Sequence, residues 1–354
     1  MWKYKGLLAL TVVVTVHLMS AFGLSSSVYY VYSNFIFPVI RSLYDYTLGF
    51  LPFGFLYILV IGLIGFLVYR KVKKSRSQKW PWQSRLMMTI NIFGWIIFLF
   101  YFLWGFNYNR ASWVEKNDWT EVSPDSILLF QEMQTVSEKV NEFRKRLSLD
   151  TSAMIYHPDW TMMENDIRSS QTSFLKSYGD HVNGRVRIRR LYPKGLLMSL
   201  STAGIYIPFV CEGHIDPGLN PIQWPFTVAH EMAHGYGYTD EGECNFIGFV
   251  TCIQSTDPYI QYSGWLGYWR YLYREVYQLS EEKSNMIYAS LTRGVQADLR
   301  AIRKDINRYP DIMPWFRDVI YEFYLRSHGM SDGLVSYDGI ISLVLTWKEE
   351  NSIH

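Results

Sequence analysis

The segment TVAHEMAHGYGYTDEGECNFIGFV, residues 227–250, combines two histidines and a glutamate at a spacing typical of metal sites. His230 and His234 are four residues apart, so on a helix both side chains project from one face, one turn apart. Their imidazole nitrogens can then bind one ion at about 2.0–2.1 Å. Glu231 directly follows the first histidine, which places its carboxylate beside the ion but outside the set of ligands. Because imidazole and carboxylate ligands suit zinc, the segment predicts a Zn2+ site with Glu231 as the general base.

A third zinc ligand is expected among the three acidic residues that follow within ten positions of His234, namely Asp240, Glu241 and Glu243. Asp240 completes H-E-x-x-H-x-x-G-x-x-D, a metzincin-like pattern with Asp in place of the usual third His. Alternatively, Asp240 caps a new helix, EGECNFIGFVTC, since Asp is a favoured N-cap residue. We favour Glu241 as the third ligand, with Glu243 and Asp240 as the alternatives.

The predicted second helix explains why Glu241 is favoured. Glu241, Asn245, Gly248 and Cys252 share one face of it, and these residues are small or polar. This face can pack against the first helix through Gly248 and present Glu241 to the metal. Asn245, one turn after Glu241, can then hydrogen-bond a ligating histidine and fix its orientation.

The motif H-E-M-A-H followed by E-G-E-C-N-F resembles the gluzincin class of zinc peptidases, in which a glutamate on the next helix completes the site. It is similar to the E-x-x-A-D pattern of the HtpX-like membrane proteases, with Cys244 and Asn245 in place of the Ala and Asp. Most of the chain also resembles an uncharacterised bacterial family of membrane-anchored H-E-x-x-H proteins. The segments that carry this resemblance are W-G-F-N-Y-N-R, G-I-Y-I-P-F, P-F-T-V-A-H-E-M-A-H-G-Y-G, E-C-N-F-I-G-F and Y-L-R-S-H-G-M-S-D-G-L-V-S-Y. The resemblance implies a zincin-like domain but supplies no substrate, because the activity of that family is not established.

The function that these residues predict is hydrolysis of peptide bonds by a membrane-anchored zinc metallopeptidase. His230, His234 and Glu241 would hold zinc, which lowers the pKa of a bound water towards about 7 so that Glu231 can take its proton. A further donor should stabilise the oxyanion, and the candidates are Tyr262, Tyr324, His328 and His214. The alternative is a membrane-tethered zinc-binding sensor or interaction protein without proteolytic activity. Glu231 argues against this alternative, since a purely structural zinc site needs no acid at that position.

The first part of the chain, residues 1–106, is predicted to be a membrane domain. Three apolar runs, at about 6–23, 49–69 and 86–106, are each about long enough to cross a bilayer core of roughly 30 Å. The first run follows two lysines and is interpreted as a retained signal anchor, with a cleaved signal peptide as the alternative. The aromatic segment 25–47 is expected either to lie along the outer membrane surface as an interfacial helix or to form a loop packed against the domain that follows residue 106.

Charge predicts how the membrane domain is oriented. Residues 1–106 contain ten Lys or Arg and one acid, Asp45, which leaves 24 of the 34 basic and 31 of the 32 acidic residues for the rest of the chain. The basic residues concentrate in the loop 70–85, and short basic loops stay in the cytoplasm. The part after Phe106 is therefore predicted to lie outside the cytoplasm of a multi-pass membrane protein. The lipid bilayer and a peptide or protein substrate are the expected partners. Nucleic acid is not, because the basic residues separate apolar runs instead of forming a stripe.

The extracytoplasmic part, residues 107–354, is predicted to be one helix-rich α+β domain with a small sheet. An exposed strand is expected at 186–192, and an edge strand at 204–210 because it contains Pro208. A long amphipathic helix should begin near Ser123, and further helices are predicted at 267–278, 281–306, 314–326 and 336–349. Three cysteines are too few for a disulfide scaffold, although one bridge would be compatible with this compartment.

Overall fold

The computed structural model describes residues 5–21, 26–73, 81–312, 315 and 339–352, and within them the chain is mostly helical with one small sheet. Two compact units are present, and the first comprises Met1–Arg110 with two short later segments, Asn183–Arg185 and Ile207–Glu212. The second comprises Ala111–Val182, Val186–Tyr206 and Gly213–His354. The first part of the first unit thus extends four residues beyond Phe106, to Arg110. The reason is that the turn after the last apolar helix packs within the first unit, where the Phe106 ring lies 5.4 Å from that of Tyr32.

The first unit contains the apolar helices α1 (Lys5–Ala21), α4 (Phe55–Lys73) and α5 (Trp82–Leu103). Among the described residues, α4 and α5 are long and apolar enough to cross a membrane, whereas α1 is a shorter apolar helix of 17 residues. The predicted run 49–69 starts earlier than α4 does. Its first residues form a 3-10 turn, Leu48–Phe50, followed by bends at positions that include Pro52.

The segment between α1 and α4 is helical, which resolves one alternative left open by the sequence. It consists of α2 (Ser26–Val31), a π-helical turn (Tyr32–Ile36) and α3 (Phe37–Thr47). It is therefore not an irregular loop. A π turn inside a helix shifts the register of the side chains that follow, and here it separates the two α-helical parts.

The second unit is built from nine described helices. These are α6 (Trp113–Asn117), α7 (Ser126–Leu147), α8 (Trp160–Ser177), α9 (Trp224–Gly235), α10 (Glu241–Gln254), α11 (Pro258–Leu279), α12 (Glu281–Ser290), α13 (Arg293–Asn307) and α14 (Gly339–Ser352). The long helix expected near Ser123 is α7, and Asp125 caps it by accepting a hydrogen bond from the Leu128 amide at 2.8 Å. Helix α8 was not predicted.

Four predicted helices of the second unit need correction or fall partly outside the described residues. The helix predicted at 281–306 is divided into α12 and α13, because Leu291 and Thr292 adopt extended backbone angles. The helix predicted at 267–278 begins nine residues earlier, at Pro258. The predicted helix 314–326 lies outside the described residues apart from Trp315, and the one at 336–349 corresponds to α14.

The sheet has three strands, β1 (Arg187–Arg190), β2 (Gly204–Ile207) and β3 (Glu212–Ile215), in the order β1-β3-β2. Strand β2 is an edge strand, as Pro208 predicted. It stops at Ile207 because residues 208–211 form a turn. The prediction of an exposed β1 is wrong, since Ile188 and Arg189 are buried. Strand β3 was missed because it is short and shows no alternation of apolar and polar residues.

The core of the second unit surrounds α9 and α10. Every residue of α10 from Gly242 to Cys252 is buried. Trp113 is fully buried beside this helix and stacks on Phe174 with ring centroids 5.3 Å apart. A helix that is buried on nearly all sides can hold its first turn in a fixed place, and Glu241 lies in that turn.

Candidate metal centre

Helix α9 carries both histidines, and its two ends are defined by local sequence. Pro225 lies in the first turn, where a missing amide hydrogen costs nothing. At the other end Gly237 adopts a positive φ of 90°, which a residue with a side chain rarely does. The chain reverses there, and the Tyr238 amide donates to the Ala233 carbonyl at 3.2 Å. This reversal places the start of α10 close to His234.

Helix α10 begins at Glu241 with Asp240 as its cap, as the second interpretation of the acidic segment predicted. The Asp240 side chain accepts a hydrogen bond from the Glu243 amide at 2.8 Å. One face of α10 packs closely on α9, because a Cβ added to Gly248 would lie 3.2 Å from the backbone nitrogen of His230. The predicted contact through Gly248 is therefore present.

His230, His234 and Glu241 converge at one point, where their potential ligand atoms all lie within 4.8 Å of one another. Nε2 of His230 is 3.2 Å from Glu241 Oε2, and Nε2 of His234 is 3.7 Å from Glu241 Oε1. Two ligand atoms in a tetrahedral zinc site with bonds of about 2.1 Å would lie roughly 3.4 Å apart. The spacing of these donors therefore suits a zinc ion.

The other ring nitrogen of each histidine has its own hydrogen-bond acceptor. Nδ1 of His230 lies 2.8 Å from Asn245 Oδ1, and Nδ1 of His234 lies 2.9 Å from the Tyr238 carbonyl oxygen. In the neutral imidazole, donation from Nδ1 leaves the lone pair on Nε2, which is the nitrogen that faces Glu241. The thiol of Cys244 also lies 3.2 Å from Nδ1 of His234. Asn245 therefore lies where the sequence predicted it, against the ring nitrogen of a candidate ligand.

The two alternative third ligands have other contacts. Glu243 is buried, and its carboxylate accepts a hydrogen bond from the Trp113 amide. The Asp240 carboxylate accepts from the Glu243 amide at the helix N-terminus. Of the three acidic residues, Glu241 is the one whose carboxylate lies at both imidazoles.

Glu231 lies between α9 and the sheet, and two glycines leave room for it. A Cβ added to Gly204 in β2 would lie 2.4 Å from Glu231 Oε1, and one added to Gly213 in β3 would lie 3.1 Å from the Glu231 Cβ. The side chain is buried, and its Oε2 atom has no hydrogen-bond partner among the described residues. A buried carboxyl oxygen without a partner is costly unless something else binds it.

The four titratable groups perturb one another strongly. Burial acts to lower the pKa of His230, but the hydrogen bond and the charge of Glu241 outweigh it and raise this pKa to about 9. Burial opposes ionisation of Glu241, yet the two histidines lower its pKa to about 2. Burial lowers the pKa of His234 to about 4. Burial also raises the pKa of Glu231 to about 8, against the opposing charge of His230.

Of the four predicted oxyanion donors, the two that the structure describes, Tyr262 and His214, do not gather at this site. Tyr262 donates from its hydroxyl to Asp298 at 2.8 Å, within a separate buried cluster. His214 follows Gly213 in β3, so the alternation of a strand points its side chain away from the sheet face that meets Glu231. Tyr324 and His328 lie outside the described residues.

One residue of the site was missed by the sequence analysis. The Tyr271 hydroxyl, on α11, donates to Asn245 Oδ1 at 3.0 Å, and the Glu241 charge contributes to its raised pKa of about 12 after burial, which is the main cause. Tyr271 belongs to the run Y-W-R-Y-L-Y-R, in which no spacing distinguishes it from its aromatic neighbours. Only the packing of α11 on α10 singles it out.

Residues 32–345 match a protein family described as a protein of unknown function (DUF3810), and the chain belongs to this family. Searches of the curated proteins and of the solved structures found no match.

Proposed function

We propose that this member of the DUF3810 family is a membrane-anchored, zinc-dependent metallopeptidase that cleaves peptide bonds outside the cytoplasm. The observation that carries the proposal is the convergence of His230, His234 and Glu241 beside the buried Glu231, whose Oε2 has no hydrogen-bond partner among the described residues. Three protein ligands leave a zinc ion with one open position, which is typical of catalytic sites and not of structural ones.

The donor set and its surroundings fit zinc. Two imidazoles and one carboxylate are ligands that zinc accepts, and acceptors at both Nδ1 atoms direct the Nε2 lone pairs to one point. Zinc bound there would polarise a substrate carbonyl and make an attacking water more acidic. The resemblance to the gluzincin class supports the same ligand set.

Glu231 would act as the proton carrier of the reaction. Its pKa is raised to about 8 by burial, so its basicity in the protein alone lies near neutral pH. It would accept a proton from the attacking water and pass it to the amine that leaves. Its Oε2, to which no described residue donates a hydrogen bond, gives it an oxygen available for this transfer.

Strand β2 is suited to hold an extended peptide next to this carboxyl. It lies at the edge of the sheet, and a Cβ added to its first residue, Gly204, would lie 2.4 Å from Glu231 Oε1. An extended substrate could add to this edge by main-chain hydrogen bonds, which select little for side-chain identity. We therefore expect a polypeptide substrate in an extended conformation.

The proposal that cleavage takes place outside the cytoplasm rests on the helices of the first unit. Helices α1 and α5 pack side by side and run parallel, since the Gly6 amide donates to Asn91 Oδ1 at 2.7 Å and His17 packs on Tyr101 at 4.7 Å. Two parallel spanning helices require a return crossing between them, and α4 would supply it. The last turn of α4 carries Arg70, Lys71 and Lys73, which favours a cytoplasmic end for that helix. The chain after α5 would then emerge on the outer side.

The test combines metal content with cleavage, using the full chain purified in detergent. About one zinc per chain, lost in His230→Ala but kept in His157→Ala, would support the metal site; His157 is an exposed histidine of the same unit. Cleavage of unfolded casein that is abolished by Glu231→Gln, while zinc is retained, would support the peptidase. A chain that binds no zinc contradicts the proposal.

The alternative function, a membrane-tethered zinc-binding sensor or interaction protein, makes a different prediction in the same experiment. It predicts zinc that depends on His230 but no cleavage of unfolded or extended peptides. The buried Oε2 of Glu231, which lacks a hydrogen-bond partner in the described part of the chain, favours the peptidase, because a structural zinc site gains nothing from such a group.

A further inference from the structure

The helical segment 26–50 of the first unit has two opposite faces of unusual composition. The large side chains on its exposed face are apolar or aromatic, and they recur every three or four residues: Val28, Val31, Phe35, Val39, Leu43, Tyr46 and Phe50. The opposite face is buried and includes Tyr29, Tyr32, Phe37, Arg41 and Asp45. A helix on a water-exposed surface buries its apolar stripe and exposes its charges. This segment instead exposes an apolar stripe and buries both of its charges.

Both charged residues of the segment are turned inward. The Arg41 and Asp45 side chains are almost completely buried, with Nε of the arginine 3.8 Å from Oδ2 of the aspartate. Asp45 also accepts a hydrogen bond from the Arg185 amide at 2.7 Å, and Arg41 donates to the Asn183 carbonyl. Burying two charges is expensive, and here they contact each other and the backbone of the same unit.

The segment lies across one end of the two parallel apolar helices. The Tyr32 hydroxyl donates to the Phe102 carbonyl at 2.8 Å, next to the last residue of α5. The Tyr29 hydroxyl approaches the Val16 carbonyl at 3.5 Å, in the second half of α1. In the arrangement proposed above, these are the ends of α1 and α5 that emerge on the outer side of the membrane.

The exposed surface continues without charge along the chain into α4. Arg41 and Asp45 are the only charged residues between positions 28 and 69, and both are buried. A surface that binds another protein has an apolar centre but a polar rim. No exposed charge interrupts this one until Arg70, which favours a lipid as its partner.

We propose that the exposed face of residues 28–50 lies in the interfacial region of the outer leaflet and contacts lipid acyl chains. Interfacial helices bury their apolar face by about 5–10 Å. The inference rests on the membrane crossing proposed for the first unit. It adds a third helical element that anchors the outer end of the membrane domain in the plane of the bilayer.

The experiment places a bimane fluorophore on single introduced cysteines in the full chain, reconstituted in phosphatidylcholine vesicles. Val39→Cys and Leu43→Cys test the proposed face, and Ile64→Cys, in the middle of α4, reports on membrane crossing. Met286→Cys in α12 is the matched control, since methionine 286 is as exposed as Val39, at 67% and 69%. The native Cys211, Cys244 and Cys252 are buried thiols that form no disulfide among the described residues, and the labelled native chain measures their background.

Phosphatidylcholine brominated near the glycerol end of its acyl chains should quench the labels at Val39 and Leu43, while aqueous iodide should not. Lipid brominated near the chain ends should quench Ile64 more strongly, and Met286 should respond to iodide alone. Labels at 39 and 43 that behave like Met286, with Ile64 quenched by lipid, would overturn the inference and leave membrane crossing intact. Labels shielded from both quenchers would also overturn it, because protein would then cover the face. Loss of lipid quenching at Ile64 as well would instead contradict the membrane crossing itself.

Discussion

The amide oxygen of Asn245 lies between two donors, 2.8 Å from Nδ1 of His230 and 3.0 Å from the Tyr271 hydroxyl oxygen. A neutral amide thus takes the place that the E-x-x-A-D pattern gives to a carboxylate. It fixes the ring of His230 so that Nε2 faces Glu241. Tyr271 uses a second lone pair of the same oxygen and holds the amide in this orientation.

Asn245→Ala should therefore lower the affinity for zinc by about 10–100-fold, because a ligating histidine loses the contact that orients it. Asn245→Asp should keep the affinity or increase it, since a carboxylate makes His230 more basic. Competition with a chromogenic chelator measures both variants. Asn141→Ala on α7 is the control, because its amide contacts Thr292 and not the histidines. Equal affinities of Asn245→Ala and the native chain would contradict the role of Asn245.

The choice of third ligand can be tested with three nearly isosteric substitutions. Glu241→Gln should abolish stoichiometric zinc binding, since it removes the anionic ligand. Glu243→Gln should retain zinc, because an amide oxygen can still accept from the Trp113 amide. Asp240→Asn should also retain zinc, since Asn is as good an N-cap as Asp. The metal content of the three purified variants identifies the third ligand. Loss of zinc in Glu243→Gln alone, or in Asp240→Asn alone, would show that the substituted residue is the ligand instead of Glu241.

Gly204→Ala should reduce peptide cleavage by about 100-fold while zinc content stays the same. The added methyl group would lie 2.4 Å from Glu231 Oε1, so the carboxyl must move away from its present place. Gly65→Ala in α4 is the matched control, because a Cβ added there meets no described atom within 4 Å. Full activity of Gly204→Ala would show that the position of Glu231 against β2 is unimportant.

Zinc affinity should rise with pH between pH 6 and 8, by about tenfold per unit if one proton is displaced. The direction of this pH dependence follows from the shifted pKa values of the three ligands. His230, with its pKa raised to about 9, is protonated in this range and must lose that proton to bind the metal. The pKa of His234 is lowered to about 4 and that of Glu241 to about 2, so neither ligand carries a proton to lose in this range. Titration calorimetry in buffers of different ionisation enthalpy counts the protons released. An affinity that is constant across this range would contradict the His230–Glu241 pair.

Features of this site that depend on residues close together in the chain could be predicted from the sequence, and features that depend on distant residues could not. The spacing of His230 and His234, the cap at Asp240 and the close packing at Gly248 follow from rules that act within one or two helical turns. The aromatic Tyr271 carries no such signal, since its role comes from a contact 26 residues away in the chain. Strand β3 was missed for a related reason, because its four residues acquire their role only beside β1 and β2.

The sequence by itself therefore determined the helix that carries the two histidines, the glutamate beside them, the start of the next helix and the apolar character of the first 106 residues. Each of these is a matter of local backbone preference or of hydrophobic periodicity. Only the tertiary structure decided that Glu241, and not Glu243, lies at the imidazoles, and that Gly204 and Gly213 make room for Glu231. It also decided that the charges of residues 26–50 point inward. These features depend on which surfaces meet, and close packing fixes those contacts to within a few tenths of an ångström in a way that a linear pattern does not encode.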